Sequence, residues 1–328
     1  MRVTLIHNPG AGRQRPRDAA RLCELLGEHG HEVRYRSSKE DGWKEALKKK
    51  ADLVVVAGGD GTVGKVARRM VGRGVPIGLL PSGTANNIAR TLGLLERPFE
   101  EIVRGWASPR RVRLDVGVVA GPWGERYFIE GVGAGVFATL IAKPSGTGLK
   151  KGASPVESGL QRLQNAVAHC EALELYAKLD GQDISGRYLL MEALNLAYIG
   201  PNLHLAHDSK PGDGAFDVVL VTEDERARLL YYLEHWQDNR DRLAVLPTRR
   251  GKRLEIEWTG FALHIDDKIR PKAKAKPREI AGVVEARIDG HAVEFLAPTK
   301  PRGAAHEPAA RCMRCRETRS ATDSSSEA

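Results

Sequence analysis

The segment Val54-Val55-Val56-Ala57-Gly58-Gly59-Asp60-Gly61-Thr62 constrains the chain more than any other. A wholly apolar β-branched run is the pattern of a strand buried on both faces, which points to a parallel sheet covered by helices. The run opens into three glycines around one carboxylate and then into a helix. Glycine lacks the β-carbon that would hold the backbone away from a phosphate, and a helix start behind it aims free N–H groups at an anion. A carboxylate in that place would repel a phosphate by itself, so Asp60 is expected to face Mg²⁺, directly or through water. The plainer alternative is a glycine-rich turn capped by Asp60.

Two further turns follow apolar runs in the same way. Leu80-Pro81-Ser82-Gly83-Thr84-Ala85-Asn86-Asn87 leads into a helix, with Gly83 permitting close approach, Thr84 offering a hydroxyl, and Asn86 and Asn87 able to cap the helix while donating to a nucleotide oxygen. Asn8-Pro9-Gly10-Ala11-Gly12-Arg13 is the third turn. None matches the Gly-x-x-x-x-Gly-Lys-Ser/Thr phosphate loop or the Gly-x-Gly-x-x-Gly dinucleotide fingerprint. Turns at the carboxyl ends of neighbouring parallel strands form the crevice in which open α/β sheets bind ligands.

Hydrophobic patterning extends this picture. Val3 to Ile6, Glu32 to Tyr35, Leu53 to Ala57 and Ile77 to Leu80 read as strands, with helical spacing over Asp18 to His29 and Gly64 to Gly72. From Val112 onward the runs are shorter and alternate: Val112 to Val119, Arg126 to Val132, Leu189 to Ala197, Phe216 to Val221, Leu254 to Trp258 and Ala262 to Ile265. Frequent turn signals between them predict a mainly antiparallel sandwich, interrupted by helices at Val156 to Cys170 and Glu223 to Trp236. The expected division is an α/β nucleotide-binding domain over residues 1–111, a β-sandwich domain over 112–299 and a disordered tail over 300–328. At 328 residues, two domains suit the length better than one. Lys143 to Ser154, with Ser145, and Lys272 to Arg278 read as loops.

Composition excludes several classes. No run of about 18 apolar residues exists to span a bilayer, and Met1 leads into a strand without a signal peptide, which predicts a cytosolic protein. Four cysteines are too few for a disulfide framework, and Cys312 and Cys315 lack the second ligand pair of a zinc site. The net charge of +9 favours anionic surfaces, while aromatics at 5% supply no stacking platform for nucleic acid. His204 and His207 have no Asp/Ser partners to form a catalytic constellation.

In order and spacing, the Asn8-Pro9 turn, Gly58 to Thr62 and Pro81 to Asn87 resemble the nucleotide-binding motifs of the diacylglycerol and sphingosine kinase family. The fold implied is NAD kinase/diacylglycerol kinase-like. The resemblance implies ATP and Mg²⁺ as cofactors and a lipid as phosphoryl acceptor, with nucleotide contacts at Asn8, Ser38, Gly58, Gly59, Asp60, Gly61, Thr62, Gly83, Thr84, Asn86 and Asn87. Val112 to Gly117 resembles the strand bearing a catalytic aspartate, Asp115. Pro211 to Asp217 resembles a structural Mg²⁺ segment, with Asp213 as side-chain ligand and Lys210 and Ala215 as carbonyl ligands. The family's Asp-Gly-Glu motif best matches Asp266-Asp267-Lys268. A lysine there carries a proton at neutral pH, so the resemblance leaves Asp266 as general base, oriented by Asp115. Asp289-Gly290 is the rival placement and reads as a hairpin turn. A membrane lipid and a peripheral anionic membrane surface are the implied partners, nucleic acid is not, and a homodimer is left open. An NAD kinase-like enzyme and a non-catalytic nucleotide- or lipid-binding protein remain the alternatives.

Overall fold

The computed structural model describes residues 1–12, 18–95, 97–142, 154–236, 246–276 and 279–299. The expectations for Ser145, for most of Lys143 to Ser154, for Arg278, for the Cys312/Cys315 pair and for the tail lie outside the described residues. β1 (Arg2–His7), β2 (Glu32–Ser37), β3 (Leu53–Gly58) and β4 (Ile77–Pro81) pair in parallel in the order β2-β1-β3-β4. Burial on both faces explains the apolar runs of β1, β3 and β4, whereas β2 lies at the sheet edge and is largely half-buried or exposed. Leu5, Val55 and Leu80 pack in one core with Leu26 of the helix Ala19–Glu28, Val66 of Asp60–Met70 and Ile102 of Phe99–Gly105.

This sheet recruits residues from beyond the expected boundary. β5 (Arg110–Asp115) and the last strand, Ala292–Ala297, complete it, the last strand lying parallel to β4 and antiparallel to β5. Residue 111 therefore falls inside β5 rather than at a boundary. Phe295 and Leu296 bury themselves in the first core, a long-range pairing that local periodicity does not encode. The run Val112 to Val119 divides at Val116, because its second half, Gly117–Gly121, belongs to another sheet.

Two antiparallel sheets form the sandwich. One contains Ala177–Leu179, Arg253–Trp258, Gly282–Arg287, Gly117–Gly121 and Gly124–Phe128; the other contains Phe216–Thr222, Gly186–Leu194, Gly131–Gly135 and Leu263–Ile265 in that order. Phe128, Met191, Phe216 and Ile256 fill the space between them. The second sheet's other face packs on the helices Val136–Ala142, Pro155–His169 and Arg226–His235, through Leu190, Val219, Leu163 and Trp236. Ser154, expected as a loop residue, begins Pro155–His169 with a capping box: its hydroxyl accepts from Glu157 N at 3.2 Å and its own N–H donates to the Glu157 carboxylate at 2.7 Å. Asp289-Gly290 is not a hairpin turn. The strand before it pairs in the sandwich and the strand after it pairs with β4 and β5, so the dipeptide crosses between sheets.

Candidate active site

Because β1, β3 and β4 are parallel neighbours, the three glycine-rich turns emerge side by side at their carboxyl edge. The turns touch each other directly. A β-carbon on Gly59 would lie 2.8 Å from Gly83 Cα, and one on Gly12 would overlap the Ser82 carbonyl. Asn8 accepts from Gly10 N at 3.1 Å and donates to Thr62 Oγ1 at 3.1 Å. Asn86 takes a left-handed conformation (φ 55°), accepts from Gly83 N at 2.9 Å and donates to Gly83 O at 2.8 Å. Asn8, Asn86, Gly59 and Gly83 thus build the turns, through side-chain hydrogen bonds and close backbone approach. A β-carbon on Gly58 would meet Thr62 at 2.9 Å, and Thr62 itself is buried. Gly61 and Thr84 face outward, and Ser38 sits half-buried at the end of β2, its N–H donating to His7 O at 2.7 Å.

Asp60 opens the helix Asp60–Met70 and accepts from Ile88 N at 3.0 Å, so it also starts the helix Asn87–Thr91. Burial pushes its carboxyl up, and the N–H groups of Ile88, Asn87 and Asn86 oppose the shift. Among the described residues no three His, Cys, Asp or Glu side chains converge closely enough to hold a metal ion. Asp60 is thus not part of such a cluster among the described residues.

Asp266 lies in the turn between Leu263–Ile265 and Lys268–Arg270, with φ 49°. Its Oδ1 accepts from the backbone N–H groups of Ile129 (3.0 Å), Glu130 (2.8 Å) and Gly131 (3.3 Å), and its Oδ2 pairs with the Arg68 guanidinium. Burial pushes the Asp266 carboxyl up, while Arg68 and these N–H groups pull it back. Both oxygens are engaged, so this carboxylate staples the turn at Ile129 to Gly131, which is a poor arrangement for a group that must accept a proton. Lys268 turns outward and pairs with Asp267 at 2.7 Å.

Beneath this turn lies a charge cluster that sequence reasoning missed. His264 Nε2 meets the Glu192 carboxylate at 2.6 Å, and Nδ1 lies 3.0 Å from the Asp266 carbonyl oxygen; both side chains are buried. Burial disfavours charge on His264, but Glu192 and the Asp266 carbonyl outweigh it and hold the imidazole above its usual range. Arg68 and Glu130 were also missed. The one available signal for Glu130 was a carboxylate set between Phe128-Ile129 and the run Gly131 to Gly135.

Asp115 and Asp213 depart from expectation. Asp115 is buried, its carboxylate accepting from Gly214 N at 2.7 Å and standing 3.6 Å from Arg113 Nε. It holds the 212–214 turn and is not among the residues that line the cavity with Asp266, so any influence on that site would have to act through water or a metal ion. Asp213 pairs with Arg250 at 2.6 Å and accepts from Ala215 N at 3.2 Å. A guanidinium already neutralises the expected ligand, and an ion bound there would have to displace it. The oxygen donors expected of Lys210, Asp213 and Ala215 suit Mg²⁺ in kind, but in this structure Arg250 occupies the Asp213 carboxylate.

Between the turns and the sandwich runs a cavity of about 450 Å³. Asp60, Asn87, Glu130, Asp266 and Asp267 line one part of it. Phe137, Leu140 and Ile141 of one helix, Leu163 of another, and Ile199 and Pro201 form an apolar wall, and Arg162 and His264 also reach the cavity. Polar groups that can handle a hydroxyl thus adjoin an apolar wall.

An α/β domain built on parallel strands is thus joined to an antiparallel sandwich, with a carboxylate-tipped apolar cavity beside the glycine-rich turns. Residues 2–119 match the diacylglycerol kinase catalytic domain. The diacylglycerol kinase of Bacillus subtilis (strain 168) is 26% identical over 247 residues, spanning 70% of this chain and 76% of that protein. The diacylglycerol kinase of Mycobacterium tuberculosis (strain ATCC 25618 / H37Rv) is 25% identical over 276 residues, spanning 81% and 83%. The fold matches a crystal structure of a diacylglycerol kinase from Bacillus anthracis with a TM-score of 0.64 at 20% identity, over 90% of this chain and 96% of that one. Residues 2–119 thus match a diacylglycerol kinase catalytic domain, and most of the chain is similar to bacterial diacylglycerol kinases.

Proposed function

We propose that the protein transfers the γ-phosphoryl group of ATP, as its Mg²⁺ complex, to the hydroxyl of a diacylglycerol-like lipid. The observation that carries this reading is the cavity, which joins carboxylates to a wall of Phe137, Leu140, Ile141, Leu163, Ile199 and Pro201. Burying an acyl chain against such a wall gains roughly 0.8 kcal/mol per methylene, whereas a dinucleotide acceptor gains little there. That difference weighs against an NAD kinase-like activity. The nucleotide is read along the carboxyl edge, where Gly61 and Thr84 are exposed and Ser38 follows β2 at the same edge of the sheet. Mg²⁺ neutralises phosphate charge when bound, and Asp60 is the side chain that would face it. The protein's own contribution is positioning: turns built by Asn8, Asn86, Gly59 and Gly83, and a cavity in which the acceptor is shielded from water.

Among the described residues no helix is long and apolar enough to cross a membrane. The net charge of +9 supports a cytoplasmic protein that meets its lipid peripherally at an anionic surface, with exposed Lys272, Lys274 and Lys276 contributing. The test is phosphoryl transfer from labelled ATP, with and without Mg²⁺, to diacylglycerol, a sphingoid base or NAD in phosphatidylglycerol or phosphatidylcholine vesicles. Transfer to lipid alone, faster on the anionic vesicles at low salt, supports the reading. Transfer to NAD, or to nothing, overturns it.

A further inference from the structure

We infer that Glu130, rather than Asp266, takes the proton from the acceptor hydroxyl; the inference rests on the cleft being that of a lipid kinase. Glu130 is the last residue before the strand Gly131–Gly135, and its position is set from the backbone: its N–H donates to Asp266 at 2.8 Å. Its side chain then projects to the cavity beside Asp60, Asp266 and Asp267. Among the described residues its carboxylate has one hydrogen-bond donor, Asn87 Nδ2, at a long 3.4 Å from Oε2, and no ion pair. Asp266 differs on both counts, with three N–H donors and Arg68. Of the two carboxylates, the one with a free oxygen on the cavity is Glu130.

The electrostatic surroundings agree. Burial pushes the Glu130 carboxyl well above the usual carboxylate range, and Asp60, Asp266 and Asp267 push it further, with Asn87 opposing. Among the basic groups around Asp266 and the cavity, Arg68 of the helix Asp60–Met70 is committed to Asp266 and His264 to Glu192, while Arg162 lines the cavity from the helix Pro155–His169. A carboxylate whose proton affinity is raised above the usual range is a stronger base than an ordinary one. In the step, the hydroxyl O–H bond breaks and its proton passes to Glu130. The freed oxygen bonds to the γ-phosphorus, the bond from that phosphorus to the β,γ-bridging oxygen breaks, and the nucleoside diphosphate leaves. Glu130 then releases the proton to water. This assignment also accounts for Lys268, which needs no acid/base role once Glu130 supplies it.

The experiment measures kcat and KM for ATP and lipid against pH for the full chain and for Glu130→Gln, Glu130→Asp and Asp266→Asn, with thermal melting of each. Glu130→Gln is expected to melt no lower than the wild type, to lose roughly 10²- to 10⁴-fold in kcat with both KM values within about threefold, and to lose the low-pH limb of its kcat profile. Glu130→Asp should recover part of the rate. Asp266→Asn should lose activity together with melting temperature, because the turn at Ile129 to Gly131 loses its staple. Unchanged kcat in Glu130→Gln, or a lowered kcat with the low-pH limb intact, overturns the role of Glu130 while leaving the lipid-kinase reading in place. A wild type that phosphorylates no lipid overturns both.

Discussion

Gly133 is the residue on which the centre of the sandwich depends. It pairs with Glu192 on one neighbouring strand and with His264 on the other, and the two side chains meet at 2.6 Å above its backbone. A β-carbon at Gly133 would overlap the Glu192 carboxylate, so Gly133→Ala must separate the pair or displace a central strand. Breaking a buried, hydrogen-bonded charge pair costs about 3 to 5 kcal/mol. For a unit of this size, a loss at about 2 °C per kcal/mol lowers the melting temperature by roughly 6 to 10 °C. The Asp266 carbonyl loses its hydrogen bond to His264 in the same step, so phosphoryl transfer should fall as well. Thermal unfolding by circular dichroism measures the effect, and a double-mutant cycle assigns its cause. Glu192→Ala alone should cost a similar amount, and adding Gly133→Ala to it should cost less than about 1 kcal/mol, because the obstructed carboxylate is gone. Two effects that add within about 0.5 kcal/mol would refute the steric account, as would a Gly133→Ala protein that melts with the wild type.

Three further outcomes follow from the site. Glu130 has a folded-state pKa above that of an unfolded glutamate, about 4.3, so its charge costs stability that grows as pH rises through the folded value; Glu130→Gln should raise the melting temperature at pH 8, with a gain that vanishes toward pH 4, and parallel melting curves across pH would contradict this. Asp60→Asn should abolish transfer yet change stability by less than about 1 kcal/mol, since an amide oxygen can still accept from Ile88 N; wild-type turnover at saturating ATP and magnesium would refute the assignment. Because Arg250 already neutralises Asp213, chelation of divalent cations should leave the melting temperature unchanged, whereas Arg250→Ala should become stabilised by added Mg²⁺; a wild type that melts lower in chelator would restore the metal at Lys210, Asp213 and Ala215.

The sequence by itself determined the elements whose signal is local. The apolar runs of β1, β3 and β4 and the turns at Asn8, Gly59 and Gly83 are legible because parallel burial and tight backbone approach demand particular residue types at adjacent positions. Asp60 was legible for the same reason: a carboxylate framed by glycines has few other uses. The tertiary structure decided everything that depends on which distant segments meet. Val116 divides one apolar run between two sheets, and the strand after Asp289-Gly290 returns to β4 instead of closing a hairpin. Asp266 looked like a free carboxylate until Arg68, 198 positions away in sequence, and the N–H groups of Ile129 to Gly131 were brought onto it. Glu130 looked like an ordinary strand end until burial beside Asp60 and Asp266 gave it a high proton affinity. Turn chemistry acts over a few bonds and is written in neighbouring residues, whereas desolvation and charge pairing act through space, so which carboxylate is held and which is left open is settled only when the chain has folded.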